Sequence, residues 1–532
     1  MFFIKKNKFL INIFFIFFIF FFIKSSFAMQ AFRSDLYYQE CNRLESYGFP
    51  QVYLPRPVQP ADQLSLEEIS YIFNRKYNVT DINIKNFLKK FGYQIPEQAK
   101  LPNLAFIASG GSYRAMLCFL GFMIAAQQTE LLNTALYIAT LSGSTWSMLN
   151  MLARNMLPID LCPILKERVS NDLFDISTMN IMSIVKKLYE KWQSRTDFKD
   201  HCSADVWGAL VTDRLMSDIG PDIAQNTTFA SIRSILDNSK NYAWPFPLFS
   251  ATIAPHEKRV NNFDYEWIEF SPYTVLSDFL GGRIDMQEFS SPFYSGLCQS
   301  LLPEENLATF VGLFGSAYSF SLGDLLKQIA EHIGDEDLWR EFKKIIDEYH
   351  LFEERFLPAL FNNYTYGMQY VSFGYLEKII LQDGGYDFNL PFPIALKTQR
   401  NTDIIIACDA SSDVGGPDYK EMDYAARYFR EKNKPFPDIT RPKKISDNMT
   451  IFNKRVDPAV PVPTVIYFAN PNNEFSTLKF QYSEDEFNQI VGGMATEVNN
   501  NIRAIAQIIY EKIIETNSRI SEKLDSNCCC IS

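Results

Sequence analysis

Ser142 is the side chain best placed to act as a nucleophile. An apolar run rich in strand formers, residues 135–141, ends in the small-residue turn Ser142-Gly143-Ser144, and a helix-compatible segment follows to residue 152. A strand–elbow–helix order lifts a serine hydroxyl out of the backbone and points helix N–H groups at whatever it attacks. The pattern departs from Gly-x-Ser-x-Gly, because Thr140 and Ser144 occupy the two glycine positions. By itself a Ser-Gly-Ser string also suits a turn that caps a helix.

A nucleophile further needs a base and donors for the oxyanion. The chain has only four histidines (His201, His256, His332 and His350), none in a glycine-flanked turn after a strand, which disfavours a Ser-His-Asp triad. The alternative base is a carboxylate acting directly on the serine. Asp383 is the candidate, in Leu381-Gln382-Asp383-Gly384-Gly385, where a strand-like run at 375–381 leads into a glycine turn. At an ordinary carboxyl pKa of about 3.9 it is a weak base, so burial beside Ser142 would have to raise it. Donors would come from the loop Ser109-Gly110-Gly111-Ser112, whose backbone N–H groups open a helix. Arg114 lies just inside that helix and could hold a phosphate or the developing charge.

Positioning these groups requires an α/β core. Residues 103–108 read as a buried strand, 113–132 as an apolar helix and 135–141 as the next strand. Such a unit makes the two strands parallel with a right-handed crossover, so both loops emerge at one carboxyl edge, where such sheets bind ligands. Residues 29–100 form an N-terminal extension with helical patterns at 65–76 and 81–91. Residues 161–375 read as an inserted, mainly helical cap, with helices at 181–192, 325–332 and 338–350 and irregular aromatic segments between them. Strands return at 402–408 and 464–470, and an amphipathic helix over about 485–520 closes the body at 101–515, leaving a tail at 516–532.

Composition narrows the function. At 532 residues and 47% hydrophobic, the chain can bury a large core. A formal charge of −11 argues against nucleic acid and against electrostatic attachment to anionic membranes. The basic start at residues 1–8, the apolar run at 9–23 and the small residues before Ala28 predict a cleaved secretory signal over 1–28. Six of the nine cysteines are scattered without metal-ligand spacing, and no aspartate cluster suggests a calcium loop, so no metal or cofactor is expected. The C-terminal Cys529-Cys530-Ile531-Ser532 fits a prenylation signal, with Cys528 as a second acylation candidate. A secretory signal and a cytosolic modification are compatible only if the protein is exported from one cell and modified inside another.

Several motifs, in order, carry a resemblance. Ser109-Gly-Gly-Ser-Tyr-Arg114 followed by Leu141-Ser-Gly-Ser-Thr-Trp146 resembles the catalytic domain of group IV cytosolic phospholipase A2 and its fungal phospholipase B relatives. So do Asp383 with Phe388-Asn-Leu-Pro391 and Arg400, the strand into Asp409, and the stretches at 267–273, 315–318, 434–437 and 475–482. The resemblance covers roughly 101–515. It implies a mixed central sheet with a nucleophile elbow, distantly related to patatins, and a cap over an apolar funnel. It further implies a Ser–Asp dyad of Ser142 and Asp383, oxyanion amides from Gly110, Gly111 and Ser112, and substrate phosphate on Arg114. Arg400 matches a further family arginine needed for activity. Two departures stand out: Ser112 replaces a third glycine, and Thr140 replaces the elbow glycine that would otherwise leave room there. No calcium-binding C2 domain is expected, so membrane contact would fall to the lipid motif or the cap. The implied activity is hydrolysis of phospholipid or lysophospholipid acyl esters through an acyl-enzyme. A transacylase using the same dyad, or a lipid-binding protein that has lost turnover, are the alternatives.

Overall fold

The computed structural model describes residues 56–528, except 176–178, 180–183, 187, 190–201, 220–226, 239–242, 255–264, 317–339, 341–342, 345–346, 348–358, 412–417 and 473. All four histidines, the expected signal over 1–28, Cys529 and most of the helices expected at 181–192, 325–332 and 338–350 lie outside the described residues. Of Cys528 only the helical backbone is described.

After a short strand β1 (Gln59–Pro60), helix α1 (Leu66–Arg75) begins where the Ser65 hydroxyl accepts the Glu68 N–H. A π-turn, Lys76–Thr80, joins it to α2 (Asp81–Lys90). The core unit follows as β2 (Leu104–Ala108), α3 (Ser112–Gln128), β3 (Ala135–Thr140) and α4 (Gly143–Arg154). Both strands are buried throughout, as near-continuous apolar runs demand when helices cover both faces of a parallel sheet. They pair in parallel, Ala108 beside Thr140. Helices α5 (Pro158–Val169), α6 (Cys202–Met216) and α7 (Phe229–Asn238) come next.

The 161–375 stretch expected as a mainly helical cap requires correction. It supplies β4 (Phe246–Ile253), β5 (Glu266–Phe270), β6 (Thr274–Ser277) and β7 (Gly282–Asp285) to the central sheet itself. A small hairpin, β8 (Phe293–Tyr294) with β9 (Leu297–Cys298), and helix α8 (Leu307–Phe314) follow. Then β10 (Ala359–Asn362) pairs with β11 (Lys378–Asp383). The body ends with α9 (Phe392–Ala395), β12 (Ile404–Asp409), α10 (Lys420–Glu431), β13 (Lys443–Lys444), β14 (Met449–Phe452), β15 (Thr464–Ala469) and the long α11 (Glu484–Cys528). Among the described residues the sheet runs β1-β7-β6-β5-β4-β3-β2-β12-β15-β14-β13, with β11 on β4 and β10 on β11. Neighbouring strands from β4 through β3, β2 and β12 to β15 are parallel and the flanks beyond them antiparallel, so the sheet is mixed.

Candidate active site

β3 ends at Thr140, and two residues later the backbone of Ser142 takes φ 51° and ψ −119° before α4 begins at Gly143. A non-glycine residue held there costs on the order of 1–3 kcal/mol, and such strain collects at functional sites. The surroundings explain why it persists. The Ser144 hydroxyl accepts the Leu141 N–H at 3.1 Å and lies within donating distance of the carbonyls of Leu141 (2.9 Å) and Ala108 (3.1 Å). Thr140 and Thr145 join hydroxyls at 3.0 Å, and Ser250 Oγ donates to the Thr140 carbonyl at 3.0 Å. The two residues that break Gly-x-Ser-x-Gly are thus both hydrogen-bonded into the elbow. Gly143 does need to be glycine: a Cβ there would sit 2.0 Å from the Ser112 carbonyl oxygen, so the elbow and the Ser109–Ser112 loop touch backbone to backbone.

Asp383 arrives by a separate route. β11 pairs antiparallel with β4, placing Asp383 opposite Ala251, while Thr140 pairs with Phe249. β5 occupies the other edge of β4 along the same residues, so β3 and β11 share one edge. β3 runs up that edge and β11 down it, and their carboxyl ends meet head-on, Thr140 and Asp383 two β4 residues apart, or roughly 7 Å. Leu141 seals the junction, since a Cβ on Gly384 would lie 2.9 Å from it and one on Gly110 2.7 Å from it and 2.8 Å from Ser142 Cβ. Asp383 is fully buried; Gly385 N–H donates to its Oδ1 at 2.8 Å, its own N–H donates to Ser316 Oγ at 3.1 Å, and Thr252 Oγ1 donates to its carbonyl. Ser316 falls in the 315–318 stretch of the resemblance but carries no role there, and nothing in the sequence singles out Thr252. Their signal is weak, a hydroxyl just after α8 and another in an apolar strand.

The Ser109–Ser112 loop is tied to β12 by Ser109 N–H to the Cys408 carbonyl (3.1 Å) and by Ala410 N–H to Ser109 Oγ (2.7 Å). Ser112 adopts φ 60°, a left-handed conformation that favours glycine. Its hydroxyl is buried and, among the described residues, has no hydrogen-bond partner. Arg114 is buried against this loop: Nη1 donates to the Phe475 carbonyl at 2.9 Å and Nη2 lies 3.0 Å from where a Cβ on Gly111 would stand. Gly110 differs from Gly111 and Ser112, because its N–H donates to Asn389 Oδ1 at 3.0 Å.

Arg400 is not brought to this junction. Nε and Nη2 bond the Glu68 carboxylate (2.8 and 3.2 Å), Nη1 and Nη2 bond Glu269 (2.8 and 2.7 Å), and Nη1 also reaches the Ile394 carbonyl (2.6 Å). Those contacts take all five guanidinium donors. Burial works against the charge, but Glu269 and Glu68 outweigh it and hold the guanidinium above its ordinary pKa. Nearer Asp383, burial raises the Asp387 carboxyl from 3.8 to about 7, although Trp267 Nε1 donates to its Oδ2 at 2.7 Å. A cavity of about 270 Å³ is lined by Trp267, Lys397, Lys432 and Lys434 with Asp278 and Glu266, and neither Ser142 nor Asp383 lines it.

A strained serine elbow facing an aspartate strand at the carboxyl edge of a mixed sheet defines a patatin-like α/β fold. Human GIVD cytosolic phospholipase A2 is similar in structure, with a TM-score of 0.68 and 18% identity over 86% of this chain and 68% of that one. The same human protein in complex with methyl gamma-linolenyl fluorophosphonate matches with a TM-score of 0.64 and 19% identity, over 86% of this chain and 66% of that one. Mouse (Mus musculus) cytosolic phospholipase A2 zeta is 24% identical over 450 residues, 71% of this chain and 50% of that protein. The chain thus spans about half the length of this curated relative. The lysophospholipase catalytic domain family matches residues 104–437, and the chain belongs to that family.

Proposed function

We propose that the protein is a phospholipase A2/lysophospholipase that hydrolyses acyl esters of glycerophospholipids through Ser142 and Asp383. The observation that carries the reading is the head-on approach of β3 and β11 along one edge of β4, with the strained Ser142 at the end of one and the buried Asp383 at the end of the other. Ser142 Oγ attacks the ester carbonyl carbon while its proton passes to the Asp383 carboxylate. The tetrahedral oxyanion meets the amides of the Ser109–Ser112 loop, and Arg114, beside that loop, receives the lipid phosphate. Collapse breaks the ester C–O bond, the leaving alkoxide takes the proton from Asp383, and the acyl group stays on Ser142. Water then attacks with Asp383 again as base, releasing fatty acid and restoring the serine.

Incubation of the purified chain with a mixed-chain phospholipid tests this. Ser142→Ala and Asp383→Asn each abolish fatty-acid release while the protein stays folded, and a fluorophosphonate labels the wild type at Ser142. Substantial turnover in either variant contradicts the dyad. Acyl chains passed to a second lipid would identify a transacylase, and no product of either kind would leave a lipid-binding protein. We extend the proposal to the address: residues 1–28 direct export and Cys528 and Cys529 carry lipid, which the intact mass of the mature protein reads directly.

A further inference from the structure

Asn389 is held where two parts of the site adjoin. It follows Asp383 by six residues, and its backbone N–H donates to the Glu421 carboxylate on α10. Its side-chain amide brackets a single residue 279 positions away: Gly110 N–H donates to Oδ1 at 3.0 Å, and Nδ2–H donates to the Gly110 carbonyl at 3.1 Å. The Gly110 N–H also approaches the Asn389 backbone carbonyl at 3.4 Å. Gly385, whose N–H holds the Asp383 carboxylate, is beside the same amide, 3.7 Å from Oδ1 to a Cβ built on it.

We infer that Asn389 is a positioning residue for the oxyanion loop, an inference that rests on Ser142 being the nucleophile. The Gly110 amide is engaged by Asn389, so the donors left to the oxyanion are those of Gly111 and Ser112. The peptide joining Gly110 to Gly111 is trans, and in a trans peptide the C=O and N–H point to opposite sides. Fixing the Gly110 carbonyl on Nδ2 therefore turns the Gly111 N–H away from Asn389. Gly110 lies between Asn389 and Ser142, since one Cβ on it would touch both. An amide is suited to this role because it offers an acceptor and a donor side by side in one plane. The side chain thus keeps the donor loop in register with the turn that carries the base.

The test uses the full chain, a soluble chromogenic acyl ester, thermal unfolding and fluorophosphonate titration of reactive serine. Asn389→Leu keeps the shape and loses both bonds. Its kcat per folded molecule falls by roughly 100- to 1,000-fold, the loss seen when one oxyanion donor is removed, with KM within about threefold. Asn389→Asp keeps the acceptor and loses the donor while ionised, and regains a donor when protonated. Its deficit relative to wild type shrinks as the pH is lowered, which a purely structural role would not produce. A Leu variant within about threefold of wild-type kcat overturns the inference. If that variant does not fold, an Asp variant whose kcat matches wild type at neutral pH, or whose deficit is independent of pH, overturns it instead. Failure of the nucleophile assignment is separately visible, as turnover in Ser142→Ala or labelling elsewhere in the wild type.

Discussion

Replacing Arg400 with methionine will remove stability and leave the chemistry of the folded enzyme intact. The side chains of Arg400, Glu68 and Glu269 are 0%, 2% and 6% exposed, so their charges meet in a nearly dry environment. Taking away the cation leaves two facing carboxylates buried together and the Ile394 carbonyl without its donor. Breaking a buried ion pair costs about 3–5 kcal/mol, and an orphaned buried carbonyl adds about 1–3 kcal/mol. A loss of roughly 5 kcal/mol is a large part of the 5–15 kcal/mol that holds a typical domain together. The assay pairs a urea unfolding curve with turnover per fluorophosphonate-labelled serine. We expect a much lower unfolding midpoint, near-normal turnover per labelled serine, and partial recovery when Glu68→Gln and Glu269→Gln are added, because the uncompensated charges are then gone. An Arg400→Met protein with the wild-type midpoint but turnover down 100-fold or more per folded molecule would falsify this account and place Arg400 in the chemistry. Glu68 lies on α1, so the same experiment measures how firmly the N-terminal extension is bound to the catalytic core.

Three further outcomes follow from the same structure. Gly143→Ala puts a methyl group 2.0 Å from the Ser112 carbonyl, a clash that only backbone movement relieves, so stability drops by about 1–3 kcal/mol and turnover is lost together with serine labelling. Ser144→Ala strands the Leu141 N–H in the core and lowers stability by about 1–3 kcal/mol, read from the unfolding midpoint. Asp387, raised to about 7, imposes a pH dependence: below about pH 4 it is protonated in both states, and between about 4 and 7 only the folded form keeps its proton. Stability from this group therefore declines as pH rises through that window, by up to roughly 4 kcal/mol, and Asp387→Asn removes that decline relative to wild type in unfolding curves taken from pH 4 to 8.

Local pattern was enough to read the chemistry-bearing segments. Apolar runs with strand formers located β2, β3, β12 and β15 to within a residue or two, and the breaks after them located the Ser109–Ser112 loop and the Ser142 elbow. The same signals misread residues 246–285 as part of a cap. Strands buried on both faces have no alternation to advertise them, and their aromatic runs look like irregular packing.

The sequence by itself determined which residue types stand at the turns: a serine after a buried strand, an aspartate before two glycines, a glycine loop before a helix. Propensity and patterning act over a few residues, and that is the range over which these features are defined. Only the tertiary structure decided what each one faces. Pairing both strands to β4 set Asp383 near the elbow, Glu68 and Glu269 took up Arg400, and Asn389 bonded the Gly110 amide. Each of these contacts joins segments more than a hundred residues apart. They are chosen by the burial of charge and hydrogen-bonding groups once the sheet has closed, and a side chain's neighbours along the chain carry no trace of them.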